Sequence, residues 1–167
     1  MKKRKMAKKE KEIKTNAMRI LERLKIPFTY TTYEAGEFVD GLQTAQKLSL
    51  PVETVFKTLI CVGNDRQHYV FVIPVAAELD LKKCAKSVGV KSVSMIHVKE
   101  LFDLTGYVRG GCTAIGMKKQ FVTRVDQSAS KFEQIHISGG RLGSEITLAP
   151  DGLLKAAGAE YAELVLI

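Results

Sequence analysis

The chain is poor in the residues that usually announce a catalytic centre. Its 167 residues include three histidines and three cysteines. His68, His97 and His136 lie far apart and show no H-E-x-x-H or similar ligand spacing, so no metal site is expected. Cys61, Cys84 and Cys112 cannot all pair and none forms a C-x-x-C, which fits a reducing compartment. No G-x-S-x-G nucleophile elbow occurs, nor a G-x-G-x-x-G dinucleotide fingerprint. No apolar run approaches the length of a membrane span, and the N-terminus lacks the apolar centre of a signal peptide. The expectation is a cytoplasmic protein with no membrane partner, no metal and no cofactor.

What is present is ordinary for a globular protein, with 46% hydrophobic and 26% charged residues. The length suits one domain with a real core. A basic tail is expected over 1–12 and a single domain over 13–167. The net charge of +8 is mostly that tail. Between Lys2 and Lys14 eight basic residues face two acidic ones, leaving only about +2 for the rest. Such an arm attracts polyanions, RNA among them, or is simply a solvated terminus.

Glycine is concentrated in one place. Gly106-Tyr107-Val108-Arg109-Gly110-Gly111-Cys112-Thr113-Ala114-Ile115-Gly116 closes on Lys118 and Lys119. Glycines gather where backbone takes positive φ or lets a ligand approach its N–H groups. The loop therefore suits a phosphate or a developing oxyanion, or else serves as a tight turn. It is not a Walker loop, because the lysine is one place too late and no Ser or Thr follows it.

Ile13, Ala17, Ile20, Leu21 and Leu24 fall at helical spacing, predicting a helix that ends before Pro27. Phe28 to Tyr33 reads as a strand, Glu34 to Asp40 as a loop, and Gln43 to Leu48 as a short helix. Val55 to Val62 and His68 to Ile73 flank Asn64-Asp65 as a hairpin. Leu81, Cys84, Ala85 and Val88 mark a helix whose apolar face makes Cys84 core. Val98, Leu101 and Phe102 begin another helix. Strands are predicted at Phe121–Val125, Ile135–Ser138 and Glu145–Leu148, a helix from Pro150 to Gly158, and a strand from Tyr161 to Ile167. The pattern favours a mixed α/β fold with helices around a mixed sheet.

Lys57 is the sharpest single residue. Strand alternation puts it on one face with Val55, Leu59 and Cys61, and Phe56, Thr58 and Ile60 on the other. Both faces are largely apolar, which predicts a central strand where an ammonium needs a partner or an open pocket. The alternative is a protective lysine on an edge strand.

Val55-Phe56-Lys57-Thr58-Leu59-Ile60-Cys61-Val62, the glycine loop and Ile137-Ser138-Gly139-Gly140-Arg141-Leu142-Gly143-Ser144-Glu145 occur in this order and spacing. Together they resemble the YbaK family of free-standing aminoacyl-tRNA deacylases, whose fold is also inserted as an editing domain in prolyl-tRNA synthetases. The resemblance runs from about Thr15 to the C-terminus. It implies a twisted, partly closed mixed β-sheet surrounded by helices. It further implies that Lys57 is the essential lysine and that the backbone donors of Gly110 and Gly111 face the ester. Tyr33 and Phe38 then match aromatics near the terminal adenosine, Thr58 follows the lysine, and Ser138 and Gly139 match a ser-gly-gly turn. Glu145 falls where the family often has aspartate, and Ala114 where many members have a proline that pre-sets the loop. Cys112, with no histidine nearby in sequence, reads as a space-filler.

The activity so implied is trans-editing of mischarged tRNA, most readily Cys-tRNA(Pro), with the substrate's own thiol attacking the ester. Prolyl-tRNA synthetase is the protein partner to expect. Two other readings stay open at this point: a deacylase for alanine or another small amino acid using water, and a non-catalytic RNA-binding module of the same fold.

Overall fold

The computed structural model describes residues 14–36 and 40–167. The tail over 1–12 and Phe38 lie outside the described residues. Helix α1 (Asn16–Arg23) starts where the Thr15 hydroxyl accepts from Met18 N–H at 3.2 Å, and buries Ala17, Met18 and Leu21. Strand β1 (Phe28–Thr32) follows. Helix α2 (Gly41–Lys47) opens with a capping box in which Asp40 and Gln43 satisfy each other's backbone N–H groups.

Strands β2 (Phe56–Gly63) and β3 (His68–Pro74) form the predicted hairpin, with Lys57 opposite Ile73. Helix α3 (Leu81–Val88) is capped by the Asp80 carboxylate and ends at Gly89 in left-handed conformation. A short strand β4 (Val93–Met95), which the sequence did not predict, pairs with the end of β2. The helix expected from Val98 is a 3₁₀ turn at Val98–Glu100 running into α4 (Leu101–Thr105), which stops at Gly106.

After the glycine loop come β5 (Val122–Asp126), β6 (Ile135–Ser138), β7 (Ser144–Leu148), α5 (Pro150–Ala157) and β8 (Glu160–Ala162). The last strand is shorter than expected. Beyond Ala162 the Asp126 carboxylate accepts from Leu164 N–H at 3.0 Å, and Asp80 N–H donates to Leu164 O. The first bond ties Leu164 to the end of β5 through a side chain in place of the strand ladder, and the second ties it to the start of α3.

The strands form two sheets, β1-β7-β6 and β4-β2-β3-β5-β8. The first is antiparallel; the second is mixed, with β3, β5 and β8 parallel. An isolated parallel bridge between Val55 and His136 joins them, so the arrangement is mixed and partly closed. The larger core lies between the sheets, where Phe56, Ile60, Val70, Val72, Ile137 and Ile146 meet α1 and α5. The opposite face of β2 and β3 places Cys61, Phe71 and Ile73 against Cys84 and Ala85 of α3. Both faces of the hairpin are thus covered, as their continuous apolar sequence requires.

Candidate active site

Strand β2 is central along only part of its length. Its pairing with β3 runs from Phe56 to Val62, but β4 covers the opposite edge only at Cys61–Gly63. The Val55 bridge to β6 covers the start. Between these two contacts one edge of the strand has no strand neighbour among the described residues. Parity of the backbone follows from two bonds: Val55 O accepts from Val75 N–H on the β3 side, and Ile60 O accepts from Ile96 N–H on the other. Even-numbered residues therefore turn their backbone groups away from β3, and Thr58 presents its N–H and C=O to the uncovered edge.

That edge forms the floor of a cavity of about 390 Å³. Of the residues singled out from sequence, Tyr33, Lys57, Thr58, Gly110, Ser138 and Glu145 line it. Segments separated by more than a hundred residues in the chain thus converge here.

Lys57 is half-buried, and its Nζ donates to Val75 O at 3.2 Å. Burial lowers its pKa, while the fields of Glu78 and Asp40 act the other way. Among the described residues no carboxylate makes an ion pair with it within 4 Å, so the ammonium can take an anionic or carbonyl ligand from the cavity.

Across the cavity stands Glu145, from the middle strand of the other sheet, paired with Thr31 on one side and Ser138 on the other. It is only 6% exposed. Burial pushes its carboxyl up to about 8. Tyr33 lies near it and donates its hydroxyl to Thr44 Oγ1 at 3.2 Å, since that hydroxyl is itself committed to Asp40 O. Burial raises the Tyr33 phenol above its ordinary value. Ser138 Oγ accepts from Gly140 N–H at 3.2 Å, which shapes the turn between β6 and β7.

The glycine pair divides its work. Gly110 lines the cavity with φ of +85°, a conformation that favours glycine. Gly111 does not line it. Its N–H donates to Val108 O at 2.9 Å, closing a turn, and a Cβ there would meet the Arg141 backbone at 3.0 Å. The expectation that both amides face the ester therefore narrows to Gly110, with Gly111 permitting the close packing of two loops. Gly139 likewise serves the turn: its N–H donates to Ser144 O, and a Cβ would collide with Ser144 Oγ.

Ala114 is buried in the main core, and the loop is braced without a proline. The Tyr107 hydroxyl donates to Ile115 O, and Lys118 N–H donates to Thr105 O. Cys112 lines the cavity, but burial pushes its thiol up to about 12, so it is no thiolate at neutral pH.

Sequence reasoning missed several lining residues: Asp40, Thr44, Met95, Val98, Leu101 and Arg109. A signal existed for Asp40, whose D-x-x-Q spacing to Gln43 marks a capping box. The others depend on how β4 and α4 fold over the end of β2, which no local pattern reports. Among the described residues no histidine lines the cavity, and no three His, Cys, Asp or Glu side chains stand together as a metal set.

Comparison with known proteins adds the lineage. The aminoacyl-tRNA editing domain family matches residues 40–156. A protein of Enterococcus faecalis named as a candidate Cys-tRNA(Pro)/Cys-tRNA(Cys) deacylase, EbsC, is 45% identical over 162 residues, covering 95% of this chain and 98% of its own. Among solved structures, a candidate trans-editing enzyme for prolyl-tRNA synthetase superposes with a TM-score of 0.75 at 21% identity, covering 92% of this chain and 99% of its own. A hypothetical protein gives a TM-score of 0.80 at 23% identity, covering 89% and 97%. These two establish the fold. No helix among the described residues is long and apolar enough to cross a membrane. With a family match over most of its length and a relative of such identity across nearly all of it, the chain belongs to the aminoacyl-tRNA editing domain family.

Proposed function

We propose that this protein deacylates mischarged tRNA, cleaving the ester between a wrongly attached amino acid and the terminal ribose, with Cys-tRNA(Pro) as its preferred substrate. The observation that carries the reading is one cavity in which an ammonium (Lys57), an uncovered strand edge (Thr58) and a glycine of the loop (Gly110) converge. An aminoacyl ester is already activated, so positioning and charge stabilisation are what an enzyme must add. Lys57 offers a cation to the ester oxygen or adjoining phosphate, and the Gly110 amide a donor to the oxyanion. The relative named for Cys-tRNA(Pro) and Cys-tRNA(Cys) deacylation supports cysteine as the amino acid.

The cavity lacks a histidine base for Ser138 or Cys112, and the Cys112 thiol is held protonated. The substrate's own thiol fills that gap. Its sulfur attacks the carbonyl carbon, the ester C–O bond breaks, the ribose oxygen keeps the electron pair and takes up a proton, and a cyclic thiolactone leaves. Since the cavity is sized for the acyl end, selection of the tRNA body belongs elsewhere, and prolyl-tRNA synthetase is the partner we propose, in the cytoplasm.

Glu145 favours a second reading. In its ionised fraction a buried carboxylate can take a proton from water, which would serve alanyl esters as well. Single-turnover deacylation of cysteinyl, seryl and alanyl esters on the same tRNA separates the two. Thiol attack predicts rapid loss of cysteine and little loss of serine or alanine. Equal rates for cysteine and alanine mean that water attacks, and no cleavage of any ester leaves a binding module of the same fold.

A further inference from the structure

The mouth of the cavity carries an apolar patch that its chemistry does not use. Met95 is 48% exposed, Val98 58%, Phe102 54% and Val108 46%. Met95 and Val98 line the cavity, and Phe102 follows Val98 by four residues, so the patch extends from the mouth outward. Phe102 is held in a specific way. The Lys118 ammonium sits 5.0 Å from its ring centroid, and the Lys118 stem lies over Gly106, where an added Cβ would meet it at 3.2 Å. Lys118 is anchored in turn by its N–H bond to Thr105 O. Between Val98 and Lys119 the chain carries four basic residues, Lys99, Arg109, Lys118 and Lys119, against Glu100 and Asp103. Glu100 is occupied with His97 N–H at 2.9 Å.

A half-exposed aromatic ring backed by a cation, with a local excess of positive charge, has the composition of a stacking platform for single-stranded nucleic acid. We propose that Phe102, with Val98 and Lys118, is a nucleobase subsite that stacks an unpaired base preceding the terminal nucleoside of the tRNA acceptor end. The proposal rests on the deacylase reading for its direction. A cavity of about 390 Å³ suits an aminoacyl group with one nucleoside, so the preceding unpaired nucleotides must cross the rim. The apolar patch meets base faces, and the lysines meet phosphates.

The test uses an uncharged RNA hairpin with a single-stranded CCA end, and the same hairpin without it, in fluorescence anisotropy against the full-length protein. Phe102→Ala should weaken binding of the CCA hairpin about 10-fold and leave the shortened hairpin unaffected. Phe102→Trp should retain affinity and Phe102→Leu should behave like the alanine variant. A thermal melt checks that each variant is folded. In single-turnover assays Phe102→Ala should slow cleavage of charged tRNA at subsaturating protein, yet cleave 3′-cysteinyl-adenosine, which cannot reach the rim, at the wild-type rate. Unchanged CCA binding in Phe102→Ala, full affinity in Phe102→Leu, or an equal loss on cysteinyl-adenosine would each overturn the subsite. If the wild type cleaves no ester but binds the CCA hairpin through Phe102, the deacylase reading fails and the subsite stands.

Discussion

The two walls of the cavity hold ionisable residues of opposite kind in opposite settings. Lys57 lies on a strand with one uncovered edge, half-buried, with a carbonyl as its hydrogen-bond partner. Glu145 lies on the middle strand of the other sheet, covered on both edges and almost fully buried. Burial biases each toward its neutral form, lowering the lysine and raising the carboxyl. Position in the sheet decides how far: the lysine keeps solvent and two distant carboxylates, whereas the glutamate has neither. One wall can therefore supply charge to a ligand, and the other stores a proton.

Removing the charge from the open wall should have the largest effect. Lys57→Ala should cost about 100-fold in single-turnover deacylation, the order expected for losing one charged hydrogen bond to the transition state. The melting temperature should stay near wild type, because the side chain gives up one bond to Val75 O. Lys57→Arg should restore little, since a planar fork does not replace a compact ammonium. A near-wild-type rate in Lys57→Ala would remove the contrast between the walls.

The closed wall should show itself in stability against pH. Between the ordinary carboxyl value of 4.5 and about 8, the folded protein keeps a proton on Glu145 that the unfolded chain has released. Its contribution is full below that window and lost as pH rises through it, with a slope of at most about 1.4 kcal/mol per pH unit. Glu145→Gln should abolish this component, so the stability difference between the two proteins should change steadily across the window in urea titrations. A pH-independent difference would mean that Glu145 is ionised in the folded state.

Much of this contrast was legible in the sequence. The hairpin of Val55 to Val62 and His68 to Ile73 is readable, within one residue of the observed strands, because both faces of the first strand are apolar and Asn64-Asp65 marks the turn. Lys57 stood out because its strand neighbours are apolar. Central placement was only half the answer, since β4 has three residues and covers three positions of β2. No local signal gives the length of a partner strand. The burial of Glu145 was also hidden: Glu145–Leu148 reads as a strand, but its middle place between β1 and β6 depends on pairing more than a hundred residues away. The tie of the Gly111 amide to Val108 is a turn geometry that spacing alone does not distinguish from a free donor.

A smaller effect tests whether the loop over the cavity is rigid in its own right. Tyr107→Phe leaves the buried Ile115 carbonyl without its side-chain donor and should cost about 1–2 kcal/mol in urea unfolding. A larger fall in cleavage of cysteinyl esters than in stability would tie loop geometry to the chemistry. Smallest of all should be removal of residues 1–12 on the reaction within the cavity. The charge there should instead steepen the salt dependence of tRNA binding, so truncation should flatten that slope while leaving turnover at saturation unchanged. An unaltered slope would make the arm a solvated terminus.

The uncovered edge of β2 has a further consequence for life in a crowded solution. A strand with spare backbone donors and acceptors is a template on which another chain can add itself, and proteins commonly block such edges with charge or bulges. Here the edge sits at the bottom of a cavity beneath Met95, Val98 and the glycine loop, with a lysine beside it. Access to it runs through the cavity, which restricts pairing by a second polypeptide strand. Recessing the edge keeps it usable for chemistry while denying it to aggregation.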